Sequence, residues 1–182
     1  MPDRPKDMYR NARPVVPNFD SDEWLYHRID PRFVEADGTI DAVHINFRFP
    51  ELSSNRSKFS EPWYVLYPRD SCGRYAVLKF RPQDVPKSVH GESSDSPVHK
   101  IKNEHSPEGD NYGHCETQIY RSGKRLTKTN QLKDSPKAKL RLAFSRIVKL
   151  VRKAGEPFPP KGWVDPGHRP HGEADETPGT QI

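Results

Sequence analysis

Apolar residues are scarce in this sequence, at 32% of 182 residues, and the mean hydropathy is −0.98. A chain this poor in hydrophobes is expected to fold over only part of its length, and its 19 prolines point the same way. No apolar run approaches membrane-spanning length, and the opening MPDRPKDMYR lacks the apolar core of a signal peptide, so a cytoplasmic protein without a membrane partner is expected. Cys72 and Cys115 are the only cysteines, too few for a disulfide scaffold, and free thiols are the expectation. Enzyme signatures are missing as well. There is no glycine-rich phosphate loop, no G-x-S-x-G elbow, no His-Glu-x-x-His and no P-C-x-x-C. Helix-turn-helix, zinc-finger, RNA-recognition and KH signatures are absent too, which leaves sequence-specific reading of nucleic acid unsupported.

What the sequence does have is charge, unevenly placed. The formal net charge is +5, yet Arg121 to Lys153 alone holds twelve Lys or Arg against the single acid Asp134, leaving −6 for the remainder. A field of this kind attracts phosphates. Within the block, DSPKAKLRLAFSRIVKLVRKAG (134–155) reads as one long helix. Ser135 is a preferred N-cap, Pro136 suits the first helical position, and Gly155 suits the C-terminal stop. Leu140, Ala143, Phe144, Ile147, Val148 and Val151 recur at three- and four-residue spacing and form an apolar stripe beside the cations.

Strand patterns precede that helix. WLYHRI (24–29) has strand composition, and from Ile40 the residues Val43, Ile45, Phe47 and Phe49 alternate with polar ones. WYVLY (63–67) and YAVLKF (75–80) read as two further strands joined by a hairpin, and YGHCETQIYR (112–121) as a fifth. ELSSNRSKFSEP (51–62) reads as a polar excursion. The expected domain organisation is a flexible proline-rich arm over 1–21, one domain over 22–163 with a long polar loop at 87–111, and a disordered tail over 164–182. Trp163 is expected to anchor the extended segment after the helix. The fold class predicted is α+β, a mostly antiparallel sheet of about five strands covered by one long C-terminal amphipathic helix.

Chemistry could sit in HKIKNEHSPEGDNYGHCETQIY (99–120). A strand over 112–121 puts Tyr112, His114, Glu116, Gln118 and Tyr120 on one face. His114 and Glu116, with His105 brought over by the loop, are the candidate catalytic residues of a hydrolase or phosphodiesterase. No cofactor is specified. A divalent metal is a candidate, with His99, His105, His114 and Glu116 as its candidate ligands, although their spacing matches no established zinc pattern. An outward-facing polar sheet surface is the alternative reading of the same residues. For nucleic acid, the candidate contacts are Arg121, Lys124, Arg125, Lys128, Lys137, Arg141, Arg146, Lys149, Arg152 and Lys153, with Tyr112 and Tyr120 to stack bases.

LYHRIDPRFVEADGTI (25–40), taken with DNYGHCETQIYRSGKR (110–125), loosely resembles small bacterial proteins that have an arginine-rich N-terminal strand and a later asparagine-to-histidine strand motif. The resemblance implies a bacterial cytosolic origin and assigns no activity and no site residue. The function expected from the residues is that of a small basic accessory protein associating with nucleic acid, or an assembly containing it, through the 121–153 block. The alternatives are the hydrolase and a module for an acidic protein partner.

Overall fold

The computed structural model describes residues 4–41, 49–67, 74–93, 95–128, 131–157 and 161–162. Among these, the elements in chain order are β1 (Leu25–Ile29), β2 (Glu51–Arg56), β3 (Ala76–Phe80), β4 (Ser88–Val89), β5 (His99–His105), β6 (His114–Arg121), β7 (Lys124–Arg125), α1 (Asp134–Ile147) and β8 (Lys149–Arg152). The strands form one sheet in the order β4-β5-β6-β2-β1-β3-β8, with β7 paired to β6, and every neighbouring pair is antiparallel. No helix among the described residues is long and apolar enough to cross a membrane.

Register divides the sheet into two faces. Directly opposed residues of neighbouring strands project to the same side, so Leu25, His27 and Ile29 share a face with Phe80, Leu78 and Ala76. Through β2 and β6 the same face continues as Leu52, Ser54, Cys115 and Ile119, and through β5 as Ile101 and His105. This is the face that α1 covers. Leu140 and Phe144, one helical turn apart, are fully buried there, and the Phe144 ring meets Phe49 at 5.5 Å and Phe80 at 5.3 Å. Burying a side chain of that size stabilises by about 1.5–3 kcal/mol. The opposite face carries Tyr26, Lys79, Ser53, Asn55, His114, Glu116, Gln118 and Tyr120. A short 3-10 turn, Pro62–Leu66, packs on part of it with Tyr64 and Leu66 buried.

Several elements differ from the sequence reading. Among the described residues the sheet has eight strands, not about five, and the helix has 14 residues. The helix starts at Asp134 with Lys133 at the cap and no side-chain capping bond, so Pro136 lies inside the first turn. It ends at Ile147, where Val148 turns extended at ψ 146°, and the chain continues as β8 along β3. The β-branched Ile147, Val148 and Val151 that extended the apparent helical stripe suit an extended chain equally well, and the free edge of β3 supplies backbone partners that solvent would otherwise provide. Gly155 follows β8 instead, at φ +83°. Pro62 starts a 3-10 turn where WYVLY read as a strand. ELSSNR, read as a polar excursion, is the central strand β2, and β4 and β5 run through 87–111, read as a loop. The strand pattern at 43–49 lies almost wholly outside the described residues, as do Cys72, the Trp163 anchor and the 164–182 tail.

Residues 4–16 lie against the β5–β6 hairpin. Met8 is 1% exposed, the Tyr112 N–H donates to its carbonyl at 2.6 Å, and the Arg10 N–H donates to Gly109 O at 3.0 Å. Arg4 pairs with Asp110 at 3.0 Å. Further on, Arg56 is fully buried on β2 and binds Glu23 through two bonds of 2.6 and 2.8 Å while donating to the Val16 and Asn18 carbonyls. One guanidinium thereby ties the arm, the entry to β1 and the sheet centre together.

Candidate nucleic-acid interface

Strand alternation places His114 and Glu116 on the same outer face of β6, opposite Asn55 and Ser53 of β2. The His114 Nδ1–H donates to Ser106 O at 2.7 Å, and its Nε2 lies 3.9 Å from Glu108 Oε1. That bond fixes the orientation of a ring that is itself buried, at 8% exposed, and leaves Nε2 as the nitrogen nearer Glu108. Glu116 is engaged elsewhere, since its Oε2 accepts from Gln118 Nε2 at 2.5 Å and from Arg125 at 3.0 Å. Arg125 also reaches Glu51 at 2.9 Å, so two carboxylates share one guanidinium.

His105 does not join them. It opposes Cys115 and therefore projects to the helix face, where Nδ1 accepts the Val16 N–H at 2.9 Å and Nε2 donates to Tyr112 O at 2.7 Å. Both ring nitrogens are occupied, and burial pushes its pKa down. His99 sits at the far end of β5 opposite Arg121, buried, with its pKa also pushed down by burial and then by Arg121. The four candidate metal ligands are thus split between two faces and two ends of the hairpin. Among the described residues no group of three or more His, Cys, Asp or Glu is arranged to hold a metal ion. Cys115 is fully buried and its thiol is pushed far up by that burial, which suits core packing rather than nucleophilic chemistry.

The two tyrosines separate as well. β6 begins two residues after Tyr112, which is 4% exposed, lies under the Arg13 guanidinium at 3.8 Å and donates its OH to Pro14 O at 3.0 Å. It is part of the arm's seat. Tyr120 stays half-buried on the outer face, donating to Glu104 Oε1 at 2.7 Å with the Lys102 ammonium 5.0 Å from its ring. Burial, reinforced by Glu104, pushes its pKa up to about 12.

The basic block divides into structural and outward cations. Arg152 is buried and donates to the carbonyls of Tyr75, at 3.2 Å, and Glu156. Arg125 holds Glu51 and Glu116 as above, Lys137 lies 3.6 Å from Asp134, and Lys139 donates to Gly91 O at 2.8 Å. Arg121 and Arg141 are half-buried. Lys124, Lys128, Arg146, Lys149 and Lys153 are exposed, and none has a carboxylate within ion-pair distance among the described residues. Lys149 lies instead 5.7 Å from the ring of Trp24, beside Lys79 at 4.4 Å and Arg81 at 4.9 Å. This aromatic cluster escaped the sequence reading because its members are far apart in the chain. The available signal was the alternation of Lys79 and Arg81 with the apolar residues of YAVLKF.

Compared with known proteins, the chain matches no family model, no curated protein and no solved structure.

Proposed function

We propose that this is a small basic accessory protein of the cytosol that associates with nucleic acid, or with an assembly containing it, through the outward cations of the 121–153 block. The observation that carries the reading is that Lys124, Lys128, Arg146, Lys149 and Lys153 project to solvent without carboxylate partners among the described residues, while the block's remaining acid, Asp134, faces Lys137. Unpaired surface cations retain condensed-counterion release as a driving force when phosphates approach. Replacing Lys124, Lys128, Arg146 and Lys153 together by Gln tests it. The log–log dependence of single-strand affinity on salt is expected to flatten by about 0.7 per cation removed, and an unchanged slope would remove the block from the interface.

A hydrolase reading has one supporting observation, the His114 imidazole oriented by Ser106 with Nε2 3.9 Å from Glu108. It predicts that His114→Ala abolishes phosphodiester cleavage while the unfolding midpoint stays put.

A further inference from the structure

We infer that Trp24 and the three cations around it form a stacking platform for single-stranded nucleic acid, on the sheet face opposite α1. The inference rests on the nucleic-acid reading above and gives it a strand preference.

Trp24 immediately precedes β1, and its neighbour Leu25 points into the core, so the indole falls on the outer face with Tyr26. Its backbone is held from both sides by one residue. The Trp24 N–H donates to Ser57 Oγ at 2.9 Å, and the Ser57 N–H donates to Trp24 O at 2.8 Å. The ring is therefore presented by a clamped strand entry rather than by a loose loop, the preorganisation that a recognition surface needs.

Around it stand the Lys79 ammonium at 4.4 Å, the Arg81 guanidinium at 4.9 Å and the Lys149 ammonium at 5.7 Å from the ring centroid. They come from β3, from the residue just after it, and from β8, which pairs with β3 so that Lys149 opposes Lys79. None of the three has an ion-pair partner among the described residues. Two of the three acids just before Trp24 are neutralised, Asp20 by Lys58 at 2.7 Å and Glu23 by Arg56. The half-buried indole thus carries a locally cationic rim.

A half-exposed aromatic surrounded by unpaired cations matches the chemistry of a single strand, whose bases offer π-faces and whose phosphates follow at short spacing. A base stacking on the indole displaces the flexible Lys79 stem, whose ammonium then meets the adjoining phosphate, and Arg81 and Lys149 meet its neighbours. A duplex keeps its bases paired and stacked internally, so it can use the cations but not the ring. Strand preference is the signature of this site.

The test compares a labelled oligothymidylate with a duplex of equal length, binding to the full chain and to Trp24→Ala, Trp24→Phe and the double variant Lys79→Gln/Arg81→Gln. Expected are about tenfold weaker single-strand binding for Trp24→Ala, unchanged duplex binding, near-normal single-strand binding for Trp24→Phe, and a single-strand salt slope shallower by about 1.4 for the double variant. If Trp24→Ala and the double variant both bind the single strand as the parent does, the platform is overturned while nucleic-acid binding stands. Equal losses on single strand and duplex overturn the stacking role too. If the parent binds neither at low salt, the underlying reading fails and the platform with it. Trp24→Phe and the double variant keep the test decisive should Trp24→Ala fail to fold.

Discussion

Removing the Glu23 carboxylate should be among the most damaging single changes in this chain. Glu23 is 3% exposed and Arg56 0%, and their two bonds, at 2.6 and 2.8 Å, take both carboxylate oxygens. In Glu23→Ala the guanidinium stays in the interior with the carbonyls of Val16 and Asn18 and the rings of Phe19, at 4.1 Å, and Phe59, at 5.0 Å. None of these neutralises its charge. Breaking a buried pair from one side costs about 3–5 kcal/mol, which in a chain of this size lowers the melting temperature by roughly 10 °C. Urea unfolding followed by circular dichroism measures it directly. The Glu23→Leu/Arg56→Met double variant removes the stranded charge and should recover much of the loss. It also deprives Val16 and Asn18 of their donor, so limited proteolysis within 4–21 should quicken even where global stability returns. A Glu23→Ala loss below about 1 kcal/mol, the range of solvent-exposed ion pairs, would show that the Arg56 charge is not stranded in the interior.

Phe144→Ala should cost about 3–5 kcal/mol in the same unfolding experiment, because the ring is fully buried between Phe49 and Phe80. Acidification should destabilise the fold through its histidines. Burial pushes His27 down to about 4, and His105 in the same direction, so the unfolded chain takes up protons first and stability falls as pH drops from about 6.5 towards 4; a rise over that window would contradict the assignment. His105→Ala should flatten that pH dependence and loosen the arm, since it removes both the titrating ring and the Nδ1 that accepts the Val16 N–H, and hydrogen exchange at Val16 reports it. Cys115 should resist thiol reagents until the chain unfolds, because it is fully buried with its thiol pushed far up.

The outer limits of the fold were readable where apolar residues alternate or recur. LYHRI and AVLKF carry their own period, and Leu140 with Phe144 marks the buried side of α1. The interior of the sheet was not readable by the same signal. Glu51–Arg56 is a central strand with Leu52 its only large apolar residue; its buried positions are filled by Ser54, Asn55 and Arg56, whose burial depends on partners distant in sequence. Asn55 bonds to Ser60 and Asn111, and Arg56 to Glu23. In β5 the alternation of His99, Ile101, Asn103 and His105 with Lys100, Lys102 and Glu104 is present, but one hydrophobe among polar residues gives it little weight. The end of α1 is hidden in the sequence for a related reason, because β-branched residues satisfy a helical stripe and an edge strand equally until the β3 edge is known.

The candidate site was legible residue by residue and not as a constellation. His114 and Glu116 do share a face, as a strand requires. His105 crosses to the other side because it opposes Cys115, and Tyr112 precedes the strand. Which cations of 121–153 face outward depended on carbonyls and carboxylates elsewhere, such as Tyr75 for Arg152 and Glu51 for Arg125.

Titrating the unmodified protein into a labelled single-stranded oligonucleotide across about 50 to about 200 mM salt shows whether the outward cations engage phosphates. Engagement of four or more outward cations predicts a log–log slope of about −3 or steeper. Absence of binding at the lowest salt, or an affinity indifferent to salt, would rule out association with nucleic acid through the 121–153 cations.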